Sequence, residues 1–445
     1  MQHTVHDYPA VEMPSEKPCT LKMCKLRLHS SGVFSNVYRG LLLEPKPQRE
    51  IAVKKTWPDG GQDANKNYEV LMLLELSKEK HLNIVQVLFT FKTRAPDGRT
   101  CESMVFDFMP STLHSAVKSL GGRHPNTTDI KIYTWQLFNG LHYLFKAGFK
   151  KICHRDIKPQ NILIDPDNGV LKIGDFGSAK VMKANAQSTA YQVTRFYRPP
   201  ELLMNATLYS PLVDVWSGGC VLGEMFRGTV LFPGRDSKHQ LLLIVSTLGT
   251  PDPTEIQAMR AADQWDGPPM APRGFSRLLP HCPRESMDFL QRILVYTPNK
   301  RLCGVGLLTD PYFSDLFIPN KKRQNGRLVS DIPSFKDMMD FGPKYHSTQR
   351  KRAKITTSAE STVQPSMKSA EASRLSQEQA QPKNSQETTR KKGANRTNVT
   401  TTTTTTITNE RPISGDKRSR ENIGSRETIT AIRRTSKESL VKKSK

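Results

Sequence analysis

Two short polar runs carry the chemistry of this sequence. His154-Arg155-Asp156-Ile157-Lys158-Pro159-Gln160-Asn161 is followed, 19 residues after its aspartate, by Asp175-Phe176-Gly177. Asp156 is a carboxylate able to take a hydroxyl proton, and Lys158 an ammonium able to neutralise phosphate charge. Asn161 and Asp175 offer an amide oxygen and a carboxylate, hard ligands that suit a divalent cation such as Mg2+ better than imidazole or thiolate would. These are the polar parts of phosphoryl transfer, whose loose transition state needs positioning and charge neutralisation rather than covalent help. Either run alone is weak, because short matches arise by chance; both, in this order, argue for one site.

Such a site needs elements to hold it. Ile51-Ala52-Val53-Lys54 reads as a strand ending in a lysine, and 32–38 as strand-turn-strand. Val70, Leu73, Leu74 and Leu76 give 68–76 one packed helical face, with Glu69 near its start. The strand at 103–110 ends on Pro110, a natural hinge, and helices are expected at 130–145, 212–226, 241–248 and 284–295. A β-rich part followed by a larger helical part, without alternating βαβ units, predicts the α+β class.

Composition bounds the rest. The chain has 445 residues, 36% of them hydrophobic, enough for a substantial core. Neither a membrane-length apolar run nor a signal-peptide pattern is present, so a soluble intracellular protein is expected. Seven scattered cysteines without a CxxC pair indicate neither a disulfide framework nor a zinc site. The net charge of +24 is uneven: residues 344–445 hold 23 Lys and Arg against 9 Asp and Glu. That segment, rich in Ser and Thr and nearly free of aromatics, is expected to be a disordered basic tail, with acidic surfaces as its partners. Three prolines, Pro9, Pro14 and Pro18, among polar residues predict a flexible leader over 1–24.

The two runs resemble the catalytic and metal-binding loops of eukaryotic protein kinases. The surroundings 152–167 and 174–180, with Leu231-Phe232-Pro233-Gly234 and Leu248-Gly249-Thr250-Pro251, are similar to the glycogen synthase kinase 3 family. Lys158-Pro159 is the serine/threonine-type variant. The resemblance covers about 26–317 and implies a bilobal fold, with an N-lobe at 25–109, a C-lobe at 110–317 and an extension at 318–343 packed on the C-lobe. It implies ATP and Mg2+, and protein substrates with Ser or Thr. Asp156 then takes the substrate's proton, Lys158 stabilises the transferring phosphate, and Lys54, held by Glu69, contacts the α and β phosphates. Asn161 and Asp175 hold the metal, and the nucleotide lies among Gly32, Phe34, Val37, Ala52, Asp107, Met109 and Leu163. Phe196-Tyr197-Arg198-Pro199-Pro200-Glu201 is similar to the end of an activation segment, with Arg301 as the partner of Glu201 and Asp214 as anchor of the catalytic loop.

Departures from that pattern carry expectations of their own. The glycine-rich loop keeps only Gly32, with Ser30 and Ser35 where glycines are usual. Weaker ATP binding follows, because serine resists positive φ and close phosphate approach. The family's pocket for a substrate's pre-existing phosphate keeps Arg155 and Lys180, but its third position is Tyr68, predicting weaker dependence on priming. Tyr191 falls at the family's activation-loop tyrosine, the expected phosphosite, with Arg195 and Arg198 placed to bind a phosphate there. A monomer is expected, in the cytoplasm, with the basic cluster 350–354 as a route to the nucleus. Two rival readings are a pseudokinase scaffold with a degenerate glycine-rich loop, and a protein whose basic tail binds nucleic acid or microtubule surfaces.

Overall fold

The computed structural model describes residues 4–32, 35–56, 68–94, 98, 100–146, 151–183, 187–189 and 193–339, all within one compact unit of the chain, residues 1–365. The N-terminal part is an antiparallel sheet of β1 (His6–Glu12), β2 (Pro18–Ser31), β3 (Ser35–Glu44), β4 (Arg49–Thr56), β5 (Phe89–Arg94) and β6 (Thr100–Asp107), with α1 (Tyr68–Ser77) connecting β4 to β5. Hydrogen-bonded neighbours run β1-β2-β3-β4-β6-β5. Side chains two apart share a face, so Leu21 with Met23, Ile51 with Val53 and Phe89 with Phe91 fill one apolar core.

The expectation of a flexible leader over 1–24 is overturned. Residues 6–12 form β1, which pairs with β2 through Tyr8↔Leu21 and with β5 through Ala10↔Phe91. The prolines sit where strands tolerate them. Pro9 lies in the part of β1 that pairs only with β2, Pro14 in the turn, and Pro18 at the first residue of β2. The predicted tail at 344–445 lies outside the described residues.

The C-terminal part is helical. It comprises β7 (Ser111–Thr112), α2 (Leu113–Ser119), α3 (Thr127–Lys146), β8 (Lys151–Cys153), β9 (Ile162–Asp165), β10 (Val170–Ile173) and β11 (Lys180–Met182), then α4 (Pro200–Leu203), α5 (Leu212–Arg227), α6 (Ser237–Leu248), α7 (Pro253–Met259), α8 (Arg284–Ile293), α9 (Gly304–Leu308) and α10 (Pro333–Met339). Residues 212–226 of α5 are all buried, the mark of a helix that is a core element on every side. α6 starts earlier than its apolar run, because Asp236 caps it by accepting from the His239 amide. Among the described residues no helix is long and apolar enough to cross a membrane.

One buried polar hub ties distant segments together. The Asn83 amide faces Gln136 Oε1 at 3.0 Å, the Leu171 carbonyl at 3.0 Å and Ser334 Oγ at 2.9 Å. Asn139 donates to Asn83 Oδ1, and Gln136 donates to the Gly169 carbonyl. The loop carrying Asn83 comes this close because position 140 is glycine: a Cβ there would lie 2.8 Å from Ile173 Cδ1 and 3.1 Å from the Asn83 carbonyl. In the segment after 317, Phe335 is buried against Trp135 and Arg323 pairs with Asp129.

The hub is pH-sensitive at one neighbour. His81 stacks on Tyr143 and accepts the backbone N–H of Asn83 at Nδ1, which only an unprotonated nitrogen can do. Burial, with Lys172 and His142 nearby, lowers its pKa to about 4. Unfolded imidazole titrates near 6.5, so this contribution is complete above about pH 6.5 and is lost as pH falls towards 4. The shift corresponds to about 3 kcal/mol. Thermal midpoints of the wild type should therefore fall across that window, and those of His81→Phe should fall less. Parallel curves would remove His81 from the acid response.

Candidate active site

A cavity of about 600 Å³ opens between the sheet and the helical part. Gly32 lines it from just past the end of β2, Val37 and Ala52 from the strands, Asp107 from the end of β6, Met109 from the hinge that follows, and Leu163 from β9, with Lys54 and Asp175 also lining it. Ala52 and Lys54 alternate with the core residues Ile51 and Val53 along β4, so the strand's second face looks into the cavity.

Lys54 is the point where the two parts meet. Its ammonium donates to both carboxylate oxygens of Glu69, at 2.6 and 2.8 Å, and to Asp175 Oδ1 at 3.2 Å. Burial by itself would lower the Lys54 pKa, but the charges of Glu69 and Asp175 outweigh it and the net shift is upward. For Asp175, burial would raise the carboxyl; Lys54, helped by His154 and Lys158, carries it below its ordinary value instead. The pair therefore stays ionised through the neutral range. Asp175 is left-handed, at φ 56°, a conformation that short polar side chains tolerate.

Three donors orient Asp156. Lys158 Nζ reaches Oδ2 at 2.7 Å, Asn161 Nδ2 reaches the same oxygen at 2.9 Å, and the Thr194 hydroxyl donates to Oδ1 at 2.6 Å. The loop beneath is fixed by Asp214, whose carboxylate accepts the backbone amides of His154 at 2.6 Å and Arg155 at 2.9 Å. Those bonds hold Arg155 at φ 65°. His154 links the two runs, bonding the Gly174 carbonyl at 2.9 Å and packing its ring on Phe176. Lower down, Arg301 and Glu201 form a bidentate pair with distances of 2.7 and 2.6 Å.

The predicted residues thus form two bonded groups, Lys54 with Glu69 and Asp175 and Asp156 with Lys158 and Asn161, joined through His154, which bonds the Gly174 carbonyl, and through the charge of Lys158, which acts on Asp175. Phe34 and Tyr191 lie outside the described residues. Arg198, expected to face a phosphate on Tyr191, is buried and donates to the Val193 carbonyl at 3.1 and 2.9 Å. Ser30 and Ser35 lie in β2 and β3 without positive φ, so backbone strain does not penalise them and only their bulk bears on the phosphates. Tyr68 opens α1 with its side chain 66% exposed. Sequence reasoning missed Thr194, although its place just before Arg195-Phe196-Tyr197 was a usable signal.

The donor set fits a magnesium ion held partly by phosphate. Asn161 commits its amide nitrogen to Asp156, which leaves its oxygen as a ligand beside the ionised Asp175. Among the described residues no three His, Cys, Asp or Glu side chains gather to hold an ion by themselves. Magnesium ordinarily needs only one or two protein ligands when water and nucleotide phosphates complete its shell.

Comparison with known proteins gives the same direction. Residues 27–313 match the family model described as protein kinase domain. The protein kinase gsk31 of Schizosaccharomyces pombe is 39% identical over 340 residues, covering 72% of this chain and 81% of the relative. The protein kinase gsk3 of the same yeast is 34% identical over 319 residues, covering 70% and 80%. Glycogen synthase kinase 1 of Pyricularia oryzae is 33% identical over 326 residues, covering 71% and 80%.

Proposed function

The chain belongs to the protein kinase family, within it to the glycogen synthase kinase 3 type of serine/threonine kinase, and from that premise we propose how its residues share the work. The bilobal kinase fold, use of ATP and action on protein substrates come with the family. The observation that carries the finer reading is the Lys54 ammonium bonded to Glu69 and Asp175 at once, together with an Asp156 carboxylate held by three donors.

Asp156 accepts the proton of the incoming Ser or Thr hydroxyl, and Thr194 and Asn161 keep its carboxylate turned for that task. Lys158 offsets charge on the transferring group, and Glu69 fixes Lys54 for the nucleotide's phosphates. Asn161 and Asp175 would hold Mg2+, which when bound supplies positive charge along the β and γ phosphates. The chain acts as a monomer in the cytoplasm, and the clusters of Lys and Arg beyond 344 support acidic partners and nuclear entry.

The pocket for a substrate's existing phosphate is weakened, a reading supported by Tyr68, which offers no guanidinium beside Arg155 and Lys180. Labelled-phosphate transfer from ATP to matched primed and unprimed peptides tests both parts. Wild-type protein should modify both peptides with a modest preference for the primed one. Tyr68→Arg should raise that preference about tenfold, the effect of one charge-assisted contact. No transfer to either peptide would return the chain to the scaffold reading, and a full preference in the wild type would end the weakened-pocket argument.

A further inference from the structure

Asn161 and Asp175 stand at the same end of one hairpin. β9 starts at Ile162, β10 stops at Ile173, and the Gly174 amide bonds the Asn161 carbonyl at 2.9 Å. β10 is the outer strand of its sheet, so its far edge must be satisfied by something other than a full ladder. The Asn83 carbonyl accepts the Ile173 amide at 2.9 Å, Gln136 Oε1 accepts the Leu171 amide at 3.1 Å, and Asn83 Nδ2 donates to the Leu171 carbonyl at 3.0 Å. Ser334, buried in α10, fixes both side chains: its Oγ lies 2.9 Å from Asn83 Nδ2 and donates to Gln136 Oε1 at 3.3 Å. The turn at the hairpin's other end is gripped by the same stretch of chain. Arg323 donates to the carbonyls of Pro166 at 2.8 Å and Asp167 at 2.9 Å, with Nε anchored on Asp129 at 2.8 Å. The approach is close because Gly169 sits at φ 70°, where a Cβ would lie 2.9 Å from Arg323 Cζ.

We infer that residues 323–334 form a strap that positions the metal-binding end of this hairpin, with Ser334 and Arg323 as its positioning residues. Neither lines the cavity; both act through β10. Two paired strands of four residues each move as one short stiff piece, so a tilt at the turn or a slip along the outer edge is delivered to Asp175. Magnesium magnifies such a shift, because it demands near-octahedral geometry at about 2.0–2.1 Å and accepts little displacement of a ligand. The coupling runs both ways: Mg-nucleotide bound at Asp175 secures the strap by the same free energy that the strap contributes to metal binding. The inference rests on the reading that Asn161 and Asp175 hold the metal.

The test compares the affinity of full-length protein for ADP with Mg2+ and with a chelator, by calorimetry; the ratio of the two reads the metal's share. In Ser334→Ala and in Arg323→Gln that ratio should fall about three- to tenfold, the span of couplings carried by residues remote from a ligand, while metal-free ADP binding stays as in the wild type. Ser334→Thr, which keeps the hydroxyl, should restore the ratio. Lys131→Met, which breaks ion pairs with Glu285 and Asp315 away from the hairpin, should lower the thermal midpoint and leave the ratio alone. In the wild type, hydrogen exchange over 329–335 should slow by a similar factor when Mg-ADP is added. An unchanged ratio in both strap variants overturns the inference, as does an equal fall in Lys131→Met. Should neither strap variant fold, exchange in the wild type decides, and no slowing over 329–335 overturns it. Asp175→Asn keeps the two readings apart: a ratio that falls in Ser334→Ala but not in Asp175→Asn would strike the metal assignment and leave the strap's coupling standing.

Discussion

Asp156→Asn should keep the fold and lose about two to four orders of magnitude in kcat, the range for removing a positioned proton acceptor. The amide has the same shape, and its hydrogen bonds can be re-made. With its oxygen turned to Lys158 and Asn161, which donate at 2.7 and 2.9 Å, its nitrogen meets Thr194, whose hydroxyl can accept as well as donate. The basic oxygen is what disappears. Thermal midpoint and KM for ATP should therefore move little while kcat falls. A kcat close to wild type would remove Asp156 from the reaction, and a large drop in the midpoint would assign it a structural task.

The second large effect is on stability. Arg301 and Glu201 are paired with side-chain exposures of 0% and 2%. Arg301 also donates to the carbonyls of Leu212, Val295 and Tyr296, and its guanidinium lies 5.2 Å from the Trp216 ring. Arg301→Ala strands a buried carboxylate and three carbonyls and should cost about 3–5 kcal/mol, the usual penalty for breaking a buried pair from one side. Removing both charges in Glu201→Gln/Arg301→Met should cost less than the sum of the single changes, and that coupling is what a double-mutant cycle reads. Arg301→Lys should not restore the wild type, because an ammonium cannot reproduce a two-pronged contact. Additive losses in chemical denaturation would show the pair to be energetically idle.

What was legible in the sequence follows from how local the cause was. Asp156, Lys158, Asn161 and Asp175 were legible because few side chains can take a proton or bind a hard cation, and their spacing lies within one stretch. α1 and α5 were legible from apolar spacing. β1 was hidden because prolines argue against strands, whereas its pairing with β5 depends on residues some eighty positions away, as in Ala10↔Phe91. Thr194 and the Asn83 hub were hidden for the same reason: a threonine or an asparagine has no signature until a distant partner gives it one. The serines replacing loop glycines were visible, but their lack of strain was not, since φ is set by strand pairing.

The hub has a consequence for how the chain is made. Asn83 and Ser334 are 251 residues apart in sequence, and at roughly 5–20 residues per second of synthesis that interval lasts some tens of seconds or less. During it the nascent protein has its sheet and much of its helical part in hand, yet lacks the hydroxyl that completes the Asn83 site. A ribosome-bound chain ending before 334 accordingly carries the Asn83 site incomplete, and final consolidation waits for α10 to clear the exit tunnel.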